Sequence, residues 1–164
     1  MENITNVIEL KSEYISQVKD LLVDLQNYII EIDKYHLNIM SNDYREKYFN
    51  NLLQDCKKNQ GKIFIYVNQN KVLGMIAGYV ERYDDKDRLV YTCPKKAIVA
   101  ELVVSKKSRE GGIGTKLLCA MENYFKSISC EFVQIDVFAY NENAKRFYSK
   151  NGYEDRMITM FKKI

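Results

Sequence analysis

Apolar residues along the chain fall into two rhythms, and the points where one gives way to the other outline the elements. Val7 to Leu10 is a short apolar-rich run that reads as a strand. From Tyr14 to Ile32 the apolar positions Val18, Leu21, Leu22, Leu25 and Ile29 recur at helical spacing, with Ser12 placed to cap them. Asp43–Lys58 is a second helix on the strength of Tyr44, Tyr48 and Leu52, and Gly61 follows as a stop. The rhythm then shortens. Ile63–Val67 and Val72–Tyr83 alternate or run apolar around Asn68-Gln69-Asn70-Lys71, which predicts a hairpin. Ala97–Val104 is the next strand, reached through the polar turn at Asp84-Asp85-Lys86-Asp87 and the lone Pro94. A helix over Gly112–Ser127, a strand over Phe132–Phe138, a helix over Asn141–Lys150 and a terminal strand over Met157–Lys162 complete the order. Antiparallel hairpins followed by strand–helix–strand with a parallel crossover predict an α+β domain: a mixed, mostly antiparallel central sheet flanked by helices.

Composition narrows the function class. A length of 164 residues suits one domain over 1–164, and 46% apolar with 29% charged residues is ordinary for a soluble globular chain. There is no apolar run long enough for a bilayer and no leader-like segment, so the expected setting is cytoplasmic, with no membrane partner. Cys56, Cys93, Cys119 and Cys130 are widely spaced without a C-x-x-C pair and read as reduced, mostly buried thiols. With His36 the only histidine, no metal is expected. A net charge of +3, carried by scattered lysines, gives no reason to expect nucleic acid. Thirteen tyrosines without a tryptophan are read as half-buried edge residues.

One junction between the two rhythms carries chemistry. Val103-Val104 ends a strand, Ser105-Lys106-Lys107-Ser108-Arg109-Glu110-Gly111-Gly112-Ile113-Gly114-Thr115 is basic and glycine-rich, and Leu117, Leu118, Met121 and Phe125 continue as a helix face. The first turn of a helix leaves backbone N–H groups unpaired and carries partial positive charge, so this junction is a candidate anion site. Spacing excludes two common phosphate loops. Gly114 is followed by Thr115-Lys116, the wrong order for a Walker loop, and a dinucleotide fingerprint would need glycine where Leu117 stands.

What remains is Arg-x-x-Gly-x-Gly at Arg109 to Gly114, which resembles the acetyl-CoA pyrophosphate loop of the GNAT superfamily of N-acetyltransferases. A second segment, Asn141 to Tyr153, is similar to the family's Asn-x-x-Ala-x-x-x-Tyr-x-x-x-Gly-[Phe/Tyr] element and follows a strand, as it does there. Together they cover about the last two-fifths of the chain. The resemblance implies acetyl-CoA as co-substrate and a cleft where the strands flanking the crossover helix part. Backbone groups of Leu102, Val103 and Val104 would meet the pantetheine arm, and those of Glu110, Gly111, Gly112, Ile113, Gly114 and Thr115 the pyrophosphate, with charge from Arg109. Lys106 and Lys107 are either solvated or near the ribose phosphate. Asn141 and Asn143 are candidate contacts to the arm, and Asn141 is equally placed to cap its helix.

Two residues are candidates for catalysis. Tyr148 is either a core-edge tyrosine or, as the resemblance implies, a donor to the departing CoA thiolate. Glu101 is an acid in an apolar strand, read as sharing a face with Val99 and Val103; it is paired with an arginine, reaches the sheet edge, or is a base whose burial raises its pKa. For the acceptor, Asp33, Tyr35 and His36 follow the first helix, and Glu81, Asp84, Asp85 and Asp87 form a local acidic cluster. Cys119 reads as core rather than nucleophile. The expected activity is acetyl transfer to a small primary amine such as a polyamine, aminoglycoside or amino-acid derivative. A protein N-terminal or lysine acceptor and a CoA-sensing module without turnover are the rivals. A homodimer is an assembly that the sequence allows.

Overall fold

The computed structural model describes residues 6–164, and within them five strands form one sheet in the order β1-β2-β3-β4-β5. These are β1 (Val7–Glu9), β2 (Lys62–Asn68), β3 (Lys71–Val80), β4 (Lys96–Val104) and β5 (Phe132–Ile135). The first four pair antiparallel and β4–β5 is parallel, which is the predicted mixed topology. The β2–β3 hairpin turns through Gln69 and Asn70, both at positive φ (48° and 59°), the conformation a two-residue hairpin demands.

Helices cover both faces. The helices α1 (Ile15–Ile32) and α2 (Tyr44–Lys58) lie on one, burying Val18, Leu21, Leu22, Phe49, Leu52 and Cys56 against Ile63, Ile65, Met75 and Val103. On the other, α4 (Ile113–Ser127) buries Leu117, Leu118, Met121 and Phe125 against Ile76, Ala97 and Val99. The last helix, α5 (Glu142–Lys150), adds Phe147 and Tyr148 to this second core. Between β3 and β4 the acidic turn contains a short helix, α3 (Asp87–Val90), that the pattern did not predict.

Four other expectations need correction. Ser12 opens a 3-10 turn and makes no side-chain cap, because α1 begins only at Ile15. Met157–Lys162 forms no strand; Met157, Ile158 and Met160 are exposed, since apolar content alone supplies no partner strand. Phe132–Phe138 shortens to end at Ile135, where pairing with β4 stops. The cysteines are free, but only Cys56 is buried. Cys119 is exposed because the inward stripe of α4 passes through Leu117, Leu118 and Met121 and misses it.

The β3–β4 register carries a bulge that positions the site. Ala77 faces Glu101 and Gly78 faces Val99, so Ala100 is an extra residue on β4. An extra residue turns the rest of a strand over. Val99 therefore packs with the α4 core, whereas Val103 packs with the α1–α2 core, and Glu101 follows Val103. The expected sharing of one face by Val99 and Glu101 does not hold. Gly78 makes the bulge possible: a Cβ there would lie 2.7 Å from the Ile98 carbonyl oxygen and 2.8 Å from the Phe125 ring. Gly78→Ala is accordingly expected to cost about 1–3 kcal/mol, as overpacking of cores does. Urea midpoints read this directly, and a midpoint equal to wild type would contradict the packing described.

Candidate active site

The glycine loop closes on the N-terminus of α4. After a 3-10 turn at Lys106–Ser108, Glu110 (φ 69°) and Gly112 (φ 74°) adopt left-handed conformations that swing the backbone round to start the helix. Gly112 is the N-cap, no side chain caps it, and the first turn holds no acidic residue. The leading N–H groups thus keep their donors free and their partial positive charge uncancelled. A Cβ at Gly111 would meet only the Ser108 carbonyl oxygen, at 3.7 Å, so the loop leaves room for a ligand to approach its backbone. Gly114 has a different reason to be small, since its Cβ would sit 3.3 Å from the Phe147 ring of α5. Ile113 is buried, leaving only its backbone for a ligand, and Thr115 is exposed. Lys106, Lys107 and Arg109 are exposed. The Arg109 Nε donates to the Val104 carbonyl at 3.3 Å, and its guanidinium lies 5.8 Å from the Tyr28 ring centroid.

From this loop a cleft runs along β4. Pairing with β5 ends at Val99–Ile135, while β4 continues to Val104. Beyond Val99 the edge of β4 that faced β5 has no strand partner among the described residues, and unpaired backbone in a half-buried position favours any ligand that can bond to it. A cavity of about 150 Å³ occupies the gap, and Glu101, Leu102, Asn141, Ala144 and Tyr148 line it together. The Asn141 side-chain oxygen accepts from the Ala144 N–H at 3.1 Å, the predicted cap, and from the Tyr28 hydroxyl at 3.4 Å. Asn143 does not line the cavity; its side chain accepts from Arg146 at 2.7 Å.

Glu101 is the hinge of the arrangement. Because of the bulge it meets α2, where the Tyr48 hydroxyl donates to its Oε1. Burial raises the Glu101 carboxyl above the usual range, and the Tyr48 bond pulls part of that back. The Tyr48 and Tyr44 rings stack at 4.7 Å, and burial together with the Glu101 charge pushes both phenols well up. Burial, then the same charge, raises Tyr148 to about 12, so it is a neutral donor at physiological pH. A second cavity of about 310 Å³ opens on the α2 side of Glu101, walled by Tyr48, Leu52, Asp55, Tyr79, Ile98 and Asp136.

Sequence reasoning missed that wall. Tyr44, Tyr48, Asn51 and Asp55 recur at helical spacing on α2, a mixed aromatic and polar stripe, but the tyrosines read only as half-buried residues of the helix face. The residues it offered instead lie elsewhere. Asp33 is buried and accepts from the backbone of Tyr35, Leu37 and Asn38 and from the Asn38 amide. Burial would raise its carboxyl, but these bonds outweigh it and hold the pKa at about 2, fixing the chain that leaves α1. Tyr35 bonds the Phe161 carbonyl, and neither Tyr35 nor His36 lines either cavity. Glu81 pairs with Lys96 at 2.7 Å, and Asp84 and Asp87 bond the backbone of their own turn.

Comparison with known proteins agrees with this geometry. Over 61 residues the chain is 41% identical to an uncharacterized N-acetyltransferase of Methanocaldococcus jannaschii, a match covering 37% of this chain and 39% of that protein. A mutant of the BH1408 protein from Bacillus halodurans has the same fold, with a TM-score of 0.82 at 16% identity over 96% of this chain and 98% of that one. An aminoglycoside N-acetyltransferase in complex with CoA shares it too, at a TM-score of 0.67 and 13% identity over 96% and 99% of the two chains. Residues 28–153, which contain the glycine loop, the cleft and the Tyr148 helix, match the acetyltransferase (GNAT) family, and the chain belongs to that family of N-acetyltransferases.

Proposed function

We propose that this enzyme transfers acetyl from acetyl-CoA to a small primary amine by direct attack within a ternary complex. The observation that carries the reading is the meeting of two cavities at Glu101, one lined by Leu102, Asn141 and Tyr148 along the open edge of β4, the other walled by α2. The uncapped N-terminus of α4 would hold the pyrophosphate, with Arg109 adding charge, and the free edge of β4 from Leu102 to Val104 would bond the pantetheine amides. The acceptor would enter from the larger cavity, whose volume suits a small molecule better than an extended peptide. Holding both reactants in register removes much of the entropic barrier.

The chemistry then follows from the two side chains. An ammonium must lose a proton before its nitrogen can attack, and Glu101, directly or through water, is placed to take it. The nitrogen adds to the thioester carbonyl, whose oxygen would be polarised by backbone N–H groups of β4; the C–N bond forms and the C–S bond breaks. Tyr148 donates a hydrogen bond to the departing sulfur. Outright transfer from a phenol at about 12 to a thiolate near 8.5 is uphill by about 5 kcal/mol, so the thiolate is finally protonated by the second proton, which the nitrogen sheds as it becomes the amide, while the first leaves Glu101 for solvent. Tyr48 acts on Glu101 as a positioning residue.

Ligand binding and three substitutions test this. Acetyl-CoA at a hundredfold excess over its Kd is expected to stabilise the fold by ~2.7 kcal/mol, visible as a raised Tm, and thiol release should appear with small amines. No shift at saturating acetyl-CoA would sink the assignment. Glu101→Gln should lower kcat/KM by roughly 10²-fold or more and abolish the acid limb of the pH profile. In wild type that limb marks Glu101 losing its proton as pH rises; Tyr48→Phe removes the bond that lowers this pKa, so the limb should move to higher pH, and an unmoved limb would contradict the pairing. Tyr148→Phe should lower kcat by roughly tenfold to a hundredfold, the worth of one hydrogen bond to a developing charge, with the acetyl-CoA melting shift retained. A wild-type kcat would remove Tyr148 from the mechanism.

A further inference from the structure

Acetyl transfer to one amine needs one base, yet the larger cavity presents three carboxylates. Glu101 forms its half-buried floor, while Asp55 from α2 and Asp136, just past β5, are exposed at its mouth. None of the three forms an ion pair among the described residues, and no lysine, arginine or histidine lines either cavity. Asp136 accepts only a 3.2 Å bond from Gln134. Their fields converge on one wall: burial first, then the charges of Asp55, Glu101 and Asp136 among others, raises the Tyr79 phenol. Even so, no group of three such side chains among the described residues is arranged to hold a metal ion. The negative charge is spread along the cavity rather than gathered at a point.

Between floor and mouth the walls change character. Tyr48, Tyr79, Leu52 and Ile98 offer rings and aliphatic surface, against which methylene groups pack and over which a cation is attracted. A volume of about 310 Å³ lies at the small end for ligand pockets, which suits a slender acceptor better than a multi-ring one. We propose that the acceptor is a linear aliphatic di- or polyamine, its reacting nitrogen at Glu101, its methylene chain between Tyr48 and Tyr79, and its second ammonium at Asp55 and Asp136. This inference rests on the acetyl-transfer reading above. Asp55 and Asp136 are the specificity determinants, because a monoamine leaves both without a partner.

Thiol-release kinetics with diaminobutane, spermidine and n-butylamine test the assignment. The diamine or triamine should exceed butylamine in kcat/KM by roughly tenfold or more, the worth of a charge-assisted bond. Asp55→Asn and Asp136→Asn should each shrink that ratio by a similar factor, chiefly through KM for the longer amines. The acetyl-CoA melting shift of each variant verifies that it is folded, and either variant alone suffices. Equal rates with butylamine and the diamines, with thiol release plain in both, would overturn the inference and leave acetyl transfer standing. A ratio unchanged in both variants would overturn it as well. An acetyl-CoA melting shift without thiol release from any of the three amines would overturn the small-amine reading itself, and this inference with it.

Discussion

A strand inside a sheet satisfies its backbone only while both neighbours keep step with it, and β4 loses one of them halfway. Up to Val99 it pairs with β3 on one side and β5 on the other; from Ala100 to Val104 only β3 remains. Buried N–H and C=O groups are costly to leave unpaired, so the open edge is tolerable only beside solvent, a side chain or a ligand. Arg109 takes one carbonyl, that of Val104, and Ala100, Glu101 and Leu102 border a cavity. The remaining features are arranged around this gap. The glycine loop lies at its far end, α5 closes its side, and α1 and α2 cover its floor.

The bulge at Ala100 falls at the same point, and its effect is electrostatic as much as geometric. In an unbroken alternation Glu101 would lie with Val99 against Phe125 and the leucines of α4, an apolar core with no partner for a charge. Turning the strand over moves the carboxylate to the face where Tyr48 can donate to it and where a second cavity admits solvent. The site therefore depends on Gly78, some distance from any proposed chemistry, whose missing side chain gives the bulge and Phe125 room.

What could be read from the chain and what could not divide along a physical line. The loop at Arg109–Gly114 and the Asn141–Tyr148 helix were legible because their conformations are set locally: positive φ at Gly112, uncapped N–H groups, and an asparagine three residues before the N–H it accepts from. The hairpin at Gln69-Asn70 and the helix faces were legible for the same reason. Glu101 was picked out as an acid among apolar residues, but its facing was misjudged, since a bulge is set by the partner strand and by Phe125 rather than by the alternation itself. Tyr48, Asp55 and Asp136 were invisible as a group because they come from α2 and the end of β5, far apart in the chain. The terminal segment failed in the opposite way: Met157–Lys162 is apolar-rich, yet a strand needs a neighbour, and no strand among the described residues pairs with it.

Acidity in the two proposed catalytic groups is set by the same burial acting in opposite senses. Enclosure raises the Glu101 carboxyl, which makes its carboxylate a stronger base than an exposed one, and the Tyr48 bond keeps it from rising further. Enclosure raises Tyr148 to about 12, which makes it a poorer acid but an assured donor, never competing for negative charge with its neighbour. The charge on Glu101 contributes to that rise, so the two groups are coupled: when Glu101 takes up the amine's proton, its negative field at Tyr148 disappears and the phenol becomes a better donor. On the proposed path this occurs as the sulfur acquires its charge. Deprotonation of the acceptor and stabilisation of the leaving group are then linked through the field in the cleft, without a proton passing between the two side chains.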